Sequence, residues 1–142
     1  MNYRFDGYNY IVVLKKGEEL TEKLLSVIKQ AGIKGGWVQG IGGALEVELG
    51  FYDLGKREYK WQTFASLCEI DSLQGSIAQD DKGEPVLHLH GVFSGDDYET
   101  IAGHVKRLIV GGTCELFIHA YQQPLKRQFD GGTGLKLLDL DD

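Results

Sequence analysis

A dense series of short strand-like segments constrains this chain more than any other feature of its sequence. Residues 45–51 alternate strictly between apolar side chains and glutamate or glycine, a pattern typical of a half-buried β-strand. Further segments of this kind follow at residues 58–65, 67–78, 86–93, 105–110, 113–121 and 125–129. Turn signals separate them, among them Asp80-Asp81-Lys82-Gly83 and Gly111-Gly112. The spacing predicts a sheet that is mostly antiparallel.

One helix is predicted near the N-terminus. Residues 3–15, rich in Tyr, Ile and Val, predict a first strand, and Glu18 and Glu19 then suit a helix N-terminus. Apolar residues recur at helical spacing up to a stop at Gly32; they are Leu20, Leu24, Leu25, Ile28 and Ala31. Residues 135–140 are interpreted as a last strand or a docked tail. These patterns predict an α+β fold, a compact single domain over residues 1–142 with a mostly antiparallel sheet and one main helix.

The charge balance limits the functions open to the chain. Its 142 residues include 15 Lys and Arg against 21 Asp and Glu, a formal net charge of −6, and no run of cations exceeds two residues. Unaided binding to nucleic acid needs clustered cations, so this composition argues against it. Residues 1–10 lack the pattern of a signal peptide. Cys68 and Cys114 lie in strand-like segments, as free thiols of a reducing cytosol do, so a cytoplasmic protein is expected.

Glycine is over-represented, with 20 residues, and raises the question of phosphate-binding loops. The stretch Gly40-Ile41-Gly42-Gly43-Ala44-Leu45 begins like a dinucleotide fingerprint. However, Leu45 stands where the third glycine belongs, and a strand pattern follows in place of a helix. The stretch Gly131-Gly132-Thr133-Gly134 lacks the Gly-Lys-Ser/Thr of a P-loop and predicts a turn. Neither stretch therefore indicates a nucleotide site.

The histidines carry the strongest chemical signal. His88 and His90 are two residues apart in a strand-like segment, so their side chains project from one face at roughly 7 Å. His104 follows after a stretch long enough for the chain to turn back. Three neutral imidazoles with an open fourth position would suit Zn²⁺. The alternative is a set of hydrogen-bonded or partly exposed histidines on a sheet face, and His119 is interpreted as a core or interface histidine.

Two carboxylates could supplement such a metal. Glu69 and Glu115 each lie between a cysteine and an apolar residue within a strand-like segment. Either could act as a general acid or base beside a metal. The base rates of strand carboxylates favour the alternative, a solvated residue or one paired with Lys106 or Arg107. Nothing in the sequence places an activating base beside either cysteine, so cysteine–histidine catalysis is not favoured.

Several stretches together resemble the plants-and-prokaryotes-conserved (PPC) domain, and their order spans nearly the whole chain. They are Gly40-Ile41-Gly42-Gly43-Ala44, Gly50-Phe51-Tyr52-Asp53, Glu69-Ile70, Ser72-Leu73-Gln74-Gly75-Ser76-Ile77, Pro85, His88-Leu89-His90, Gly103-His104 and Glu115-Leu116-Phe117-Ile118. The resemblance implies an α+β fold that forms homotrimers. It also implies a likeness in fold to acetolactate decarboxylase, whose zinc is held by three histidines. Carried over, this makes His88, His90 and His104 zinc ligands.

The resemblance leaves three functions to compare. Plant members use the domain to associate with themselves and other nuclear proteins, next to an Arg-Gly-Arg-Pro AT-hook that this chain lacks. The first hypothesis is therefore a trimeric binding or regulatory domain with zinc, whose trimer packing would also cover sheet edges. The second is a zinc-dependent enzyme, similar to a lyase or decarboxylase, acting on a small oxo-acid. The third is direct DNA binding, a label that prokaryotic members carry by analogy.

Overall fold

The computed structural model describes residues 2–140, which form nine strands and one helix. In chain order they are β1 (Asn2–Phe5), β2 (Tyr10–Lys15), α1 (Leu20–Ala31), β3 (Gly36–Asp53), β4 (Glu58–Phe64), β5 (Cys68–Gln79), β6 (Pro85–Ser94), β7 (Thr100–Ala120), β8 (Lys126–Asp130) and β9 (Leu135–Asp139). All nine strands belong to one sheet. Within the described residues, α1 is the only helix, and it is too short to cross a membrane.

The sheet is built around two long strands. Its main order is β1-β2-β7-β3-β5-β8-β9, while β4 pairs with β3, and β6 pairs with both β5 and β7. Every pairing is antiparallel except a single parallel contact between Gln79 of β5 and Lys126 of β8. The predicted antiparallel sheet with one helix near the N-terminus is therefore confirmed, in a fold dominated by strands.

The first strand predicted over residues 3–15 is wrong, because the chain turns within it. Strands β1 and β2 form a hairpin, and the carboxylate of Asp6 accepts hydrogen bonds from the backbone N–H groups of Tyr8 and Asn9. An aspartate that binds its own turn in this way competes with a continuous strand. Gly7 follows with a φ of 104°, a conformation that glycine tolerates.

The turn predicted at Gly111-Gly112 is also wrong. Strand β7 runs unbroken from Thr100 to Ala120 and joins the two segments predicted at residues 105–110 and 113–121. It pairs with β2 on one side and β3 on the other, and its register against β3 shifts near Gly42 and Ala44. Glycines inside a strand often mark such irregularities. The Gly40–Leu45 stretch lies inside β3, consistent with the exclusion of a dinucleotide loop.

Helix α1 covers one face of the sheet. Its N-terminus is capped by the Glu19 carboxylate, which accepts from the backbone N–H groups of Thr21 and Glu22, and Gly32 ends it with a φ of 67°. The buried helix residues are Leu20, Leu24, Val27 and Ile28. They share the hydrophobic core with Leu89 and Phe93 of β6. Because strand side chains alternate between faces, His88 and His90 point away from this core.

Candidate metal centre

The β6–β7 hairpin brings the three predicted histidines together. His90 of β6 lies opposite His104 of β7 in the antiparallel register, and His88 lies two residues before His90 on the same strand face. The connection between the strands, residues 95–99, carries no helix and lets the chain fold straight back. The expectation that the loop returns His104 to the other two histidines is therefore confirmed.

The distances between the ring nitrogens suit a small metal ion. One nitrogen from each histidine can be chosen so that all three lie within 4.8 Å of one another. The Nε2 atoms of His88 and His90 are 3.2 Å apart. Two nitrogen ligands of a tetrahedral zinc, each about 2.05 Å from the metal, are separated by about 3.3 Å. The pair on β6 thus already has the spacing of two ligands, and the His104 ring lies close to both.

The chemistry of these nitrogens also fits a metal. Burial lowers the pKa of His88, and it lowers the pKa of His104 to about 4, with smaller contributions from the neighbouring histidines and Arg127. Both rings are therefore neutral near pH 7, which is the form that binds metal. Nδ1 of His104 is buried and has no hydrogen-bond partner among the described residues. A buried, unpartnered nitrogen on a ring of this cluster is a feature that metal binding would explain.

Aromatic side chains of β4 form one wall of the site. The rings of Tyr59 and Trp61 stack with their centroids 4.5 Å apart, and the Tyr59 centroid lies 5.1 Å from that of His104. On the far side, Lys106 Nζ lies 4.7 Å from the centre of the Trp61 ring and pairs with Glu48 at 2.7 Å. Tyr59 and Trp61 thus both pack beside the His104 ring.

A buried arginine also lines the site. Arg127 of β8 is only 8% exposed, and its Nη2 donates to Ser76 Oγ at 3.0 Å and lies 3.2 Å from His88 Nδ1. Its Nη1 donates to the backbone oxygen of Lys136 at 2.9 Å, whereas its buried Nε has no partner among the described residues. Burial lowers the pKa of Arg127, although the group remains charged. A cationic group thus lies directly beside the histidines.

The hairpin of β8 and β9 closes this side of the site. Its turn is held to the sheet by Tyr52, whose hydroxyl donates to the Thr133 backbone oxygen at 2.7 Å, and by Arg57, which donates to the Gly132 oxygen. A cavity of about 170 Å³ lies beneath the hairpin. Its lining residues are Tyr59, Val86, Leu87, His88, His104, Arg127, Leu135, Lys136 and Leu137. The predicted turn at Gly131-Gly132-Thr133-Gly134 is confirmed as the tip of this hairpin.

The two carboxylates predicted as acid or base residues lie elsewhere. Glu69 and Glu115 are exposed and line a separate depression of about 380 Å³ on either side of Gly42, together with Asp71. Neither lines the cavity that contains His88 and His104. Their role in catalysis stays a prediction.

The partners predicted for these carboxylates are wrong. Lys106 pairs with Glu48, and Arg107 pairs with Glu46. Both pairs join β7 to its neighbour β3, since carboxylates on the adjacent strand are nearer partners than Glu69 or Glu115.

His119 and the cysteines lie outside the site. His119 is exposed, and its Nδ1 lies 3.2 Å from Asn9 Oδ1, so its interpretation as a core histidine is wrong. Cys114 is buried and Cys68 half-buried, and both are free thiols, as predicted.

Arg127 is the main residue that the sequence analysis did not assign. Its only sequence signal is a cation within the strand-like segment 125–129, and exposed strands often carry such residues. Its burial follows from the neighbouring β5 and β9, which no local pattern reveals.

The comparisons with known proteins agree with this fold. The model of the Plants and Prokaryotes Conserved (PCC) domain, the family abbreviated PPC above, matches residues 1–122. No curated protein matches the sequence. A "putative dna binding protein" from Bacteroides thetaiotaomicron has a similar structure, with a TM-score of 0.93, 30% identity, and coverage of 97% of this chain and 96% of that one.

Two further structures bear on the metal and on the fold. A metal-containing protein from Archaeoglobus fulgidus has a TM-score of 0.84 and 27% identity, over 96% of this chain and 97% of that one. The α-acetolactate decarboxylase of Bacillus subtilis has a TM-score of 0.56 and 13% identity, over 87% of this chain and 57% of that one. The second likeness is one of fold alone, as the resemblance implied.

Proposed function

The chain belongs to the Plants and Prokaryotes Conserved domain family, and on that premise we propose that it is a self-associating binding domain with a zinc centre. The observation that carries the proposal is the convergence of His88, His90 and His104 within 4.8 Å. Three neutral imidazoles are a donor set that zinc accepts. The relative from Archaeoglobus fulgidus, which is described as metal-containing, supports a metal in this fold.

Zinc binding is tested by loading protein that has first been stripped with a chelator. We expect one zinc ion per chain by elemental analysis after dialysis, and none in a variant carrying H88A and H90A. The matched control is H119A, which removes an exposed histidine outside the cluster and should leave the zinc content unchanged. Wild-type protein without stoichiometric metal, or equal metal in the double variant, would overturn the zinc centre.

Self-association is proposed through an apolar face of the sheet. Val13, Trp37, Ile41 and Phe117, here called the outer face, lie on β2, β3 and β7 with their side chains 37–56% exposed. Exposed apolar side chains that share a sheet face with polar ones, here Glu115 between Val13 and Ile41, are typical of protein interfaces. A homotrimer, the assembly that the family resemblance implies, would bury it.

The assembly is tested by sedimentation equilibrium of the wild-type chain and of I41D. We expect the mass of a trimer for the wild type and a smaller mass for I41D, because a charge in an apolar interface is costly. The control variant L54D changes an exposed apolar residue in the turn between β3 and β4, outside the outer face, and should sediment like the wild type. A wild-type chain that sediments as a monomer would contradict this part of the proposal.

Direct contact with DNA is not part of the proposed function. The relative from Bacteroides thetaiotaomicron is described as DNA-binding, but this chain has a net charge of −6 and pairs several of its cations with carboxylates. A gel-shift titration at decreasing salt tests the point. We expect no complex even at low salt, and a complex whose affinity falls steeply with added salt would contradict this expectation.

The composition of the site does not favour the alternative function, a zinc-dependent lyase. Its predicted acid or base residues, Glu69 and Glu115, line a different depression from His88 and His104. The histidine site offers a cation, Arg127, and no carboxylate among its lining residues. This composition favours binding of a ligand over proton transfer by a carboxylate.

A further inference from the structure

Arg127 is a buried charge without a counter-charge among residues 2–140. It is 8% exposed, and none of the carboxylates of residues 2–140 forms an ion pair with it. Its hydrogen bonds go instead to Ser76, His88 and a backbone oxygen. Burial of an ion is costly unless an opposite charge compensates it, so a lone guanidinium in such a position calls for an explanation.

The imbalance grows when the proposed metal is bound. Three neutral histidines contribute no charge, so a divalent ion keeps its two positive charges and Arg127 adds a third. The lining of the cavity beneath the β8–β9 hairpin contains no carboxylate, and the ammonium group of Lys136, which also lines it, pairs with Asp81 at 3.0 Å. Such a site has a strong electrostatic preference for an anion.

The hydrogen bonds of Arg127 also favour an anionic ligand. Its Nε lacks a partner, and its Nη2 lies 3.2 Å from His88 Nδ1, which must be unprotonated to accept. If His88 binds a metal through Nε2, its Nδ1 carries the proton and becomes a donor. Arg127 then loses that acceptor, and a ligand oxygen can replace it.

The walls of the cavity limit what kind of anion fits. Four apolar side chains line the cavity, those of Val86, Leu87, Leu135 and Leu137. Arg127, His88 and His104 contribute polar groups to the same lining. The cavity volume of about 170 Å³ is that of a small molecule. A ligand with one carboxylate and a short hydrocarbon portion satisfies both the charge and the apolar lining.

We propose that Arg127 binds the carboxylate of a small organic acid held next to the metal on His88, His90 and His104. The proposal rests on the zinc centre proposed above. It makes the hairpin of β8 and β9 a functional part of the site, because that hairpin supplies the anion-binding group.

The test uses protein loaded with Co²⁺ in place of zinc, whose visible spectrum reports the surroundings of the metal. Isobutyrate is the probe, and isobutyramide, of almost the same shape but without charge, is its control. Inorganic phosphate forms a second arm. We expect isobutyrate to change the spectrum with saturation, isobutyramide to have no effect, and R127Q to weaken isobutyrate binding by about 10- to 100-fold, as for a lost charge-assisted hydrogen bond.

Matched variants separate this role from a structural one. R107Q removes a cation that is exposed and paired with Glu46, and it should bind isobutyrate like the wild type. R127K keeps the charge without the planar fork and should show an intermediate affinity, so it also serves if R127Q does not fold. All variants should show the cobalt spectrum of the wild type before the probe is added.

The outcomes distinguish the two proposals. If the wild-type chain binds no cobalt, the metal centre and this inference both fail. If cobalt binds but isobutyrate acts no better than isobutyramide, only the anion site fails. The same holds if R127Q, or R127K where R127Q does not fold, binds isobutyrate as tightly as the wild type does. If phosphate binds through Arg127 and isobutyrate does not, the assignment to an organic carboxylate is overturned.

Discussion

Acid should destabilise the metal-free protein through His104. Its pKa in an unfolded chain is near 6.5, whereas burial holds the pKa in the folded protein at about 4. As the pH falls through 6.5, the unfolded chain takes up a proton that the folded protein does not bind until about pH 4. The free energy of unfolding therefore decreases across this window, and the contribution of His104 to the decrease levels off below it.

The size of the effect follows from the difference between the two pKa values. Each unit corresponds to about 1.4 kcal/mol, so the shift from 6.5 to about 4 has an upper limit of about 3 kcal/mol. The His104 ring is only half-buried, and solvent screens part of its interaction with the surrounding charges. We therefore expect a loss of about 1–2 kcal/mol from this residue between pH 7.5 and pH 4.5.

Urea unfolding followed by tryptophan fluorescence measures this loss, with a chelator present to exclude metal. The variant H104Q carries a neutral amide that does not titrate, and the wild-type chain should lose about 1–2 kcal/mol more than H104Q over the same pH interval. H119Q is the control, since His119 is exposed and outside the cluster. Equal losses in the wild type and H104Q would refute the reasoning, as would an effect of H119Q as large as that of H104Q.

Three further predictions concern packing and the thiols. Gly75→Ala should destabilise the fold by about 1–3 kcal/mol and lower the zinc content, because the added Cβ would overlap the carbonyl oxygen of His88. The control is Gly112→Ala, where the added Cβ meets open space, and it should change neither quantity. Urea titration measures the stability and elemental analysis measures the zinc. Cys114, whose pKa burial raises to about 12, should resist a thiol reagent at pH 8 until urea is added, and fast reaction of the native protein would contradict its burial. Glu19→Ala should lower the thermal midpoint by about 3 °C through loss of the helix cap, as circular dichroism would show, and an unchanged midpoint would count against that cap.

The part of the site that the sequence predicts is the part set by local pattern. Two histidines at period two must share a strand face, and a short polar connection returns the chain to the neighbouring strand, so His104 meets them. The helix over Leu20–Ala31 is predicted for the same reason, since its spacing and its glycine stop are local.

The parts that the sequence does not predict depend on distant pairings. Arg127 becomes buried because β8 meets the end of β5, about fifty residues earlier, and because β9 supplies the backbone oxygen it binds. Glycines 111 and 112 remain in a strand because β3 pairs with β7 on both sides of them, at Val110 and at Cys114. A single-sequence pattern carries no information about such neighbours.

The hairpin over the histidines also has an evolutionary consequence. The family model ends at residue 122, whereas β8 and β9 span Lys126–Asp130 and Leu135–Asp139. The ligands of the proposed metal and the cover above them are thus encoded in separate segments of the chain. Substitutions in the last segment can alter which molecules reach the three histidines without changing β6 and β7, the strands that carry them, so access to the site can change independently of its donor set.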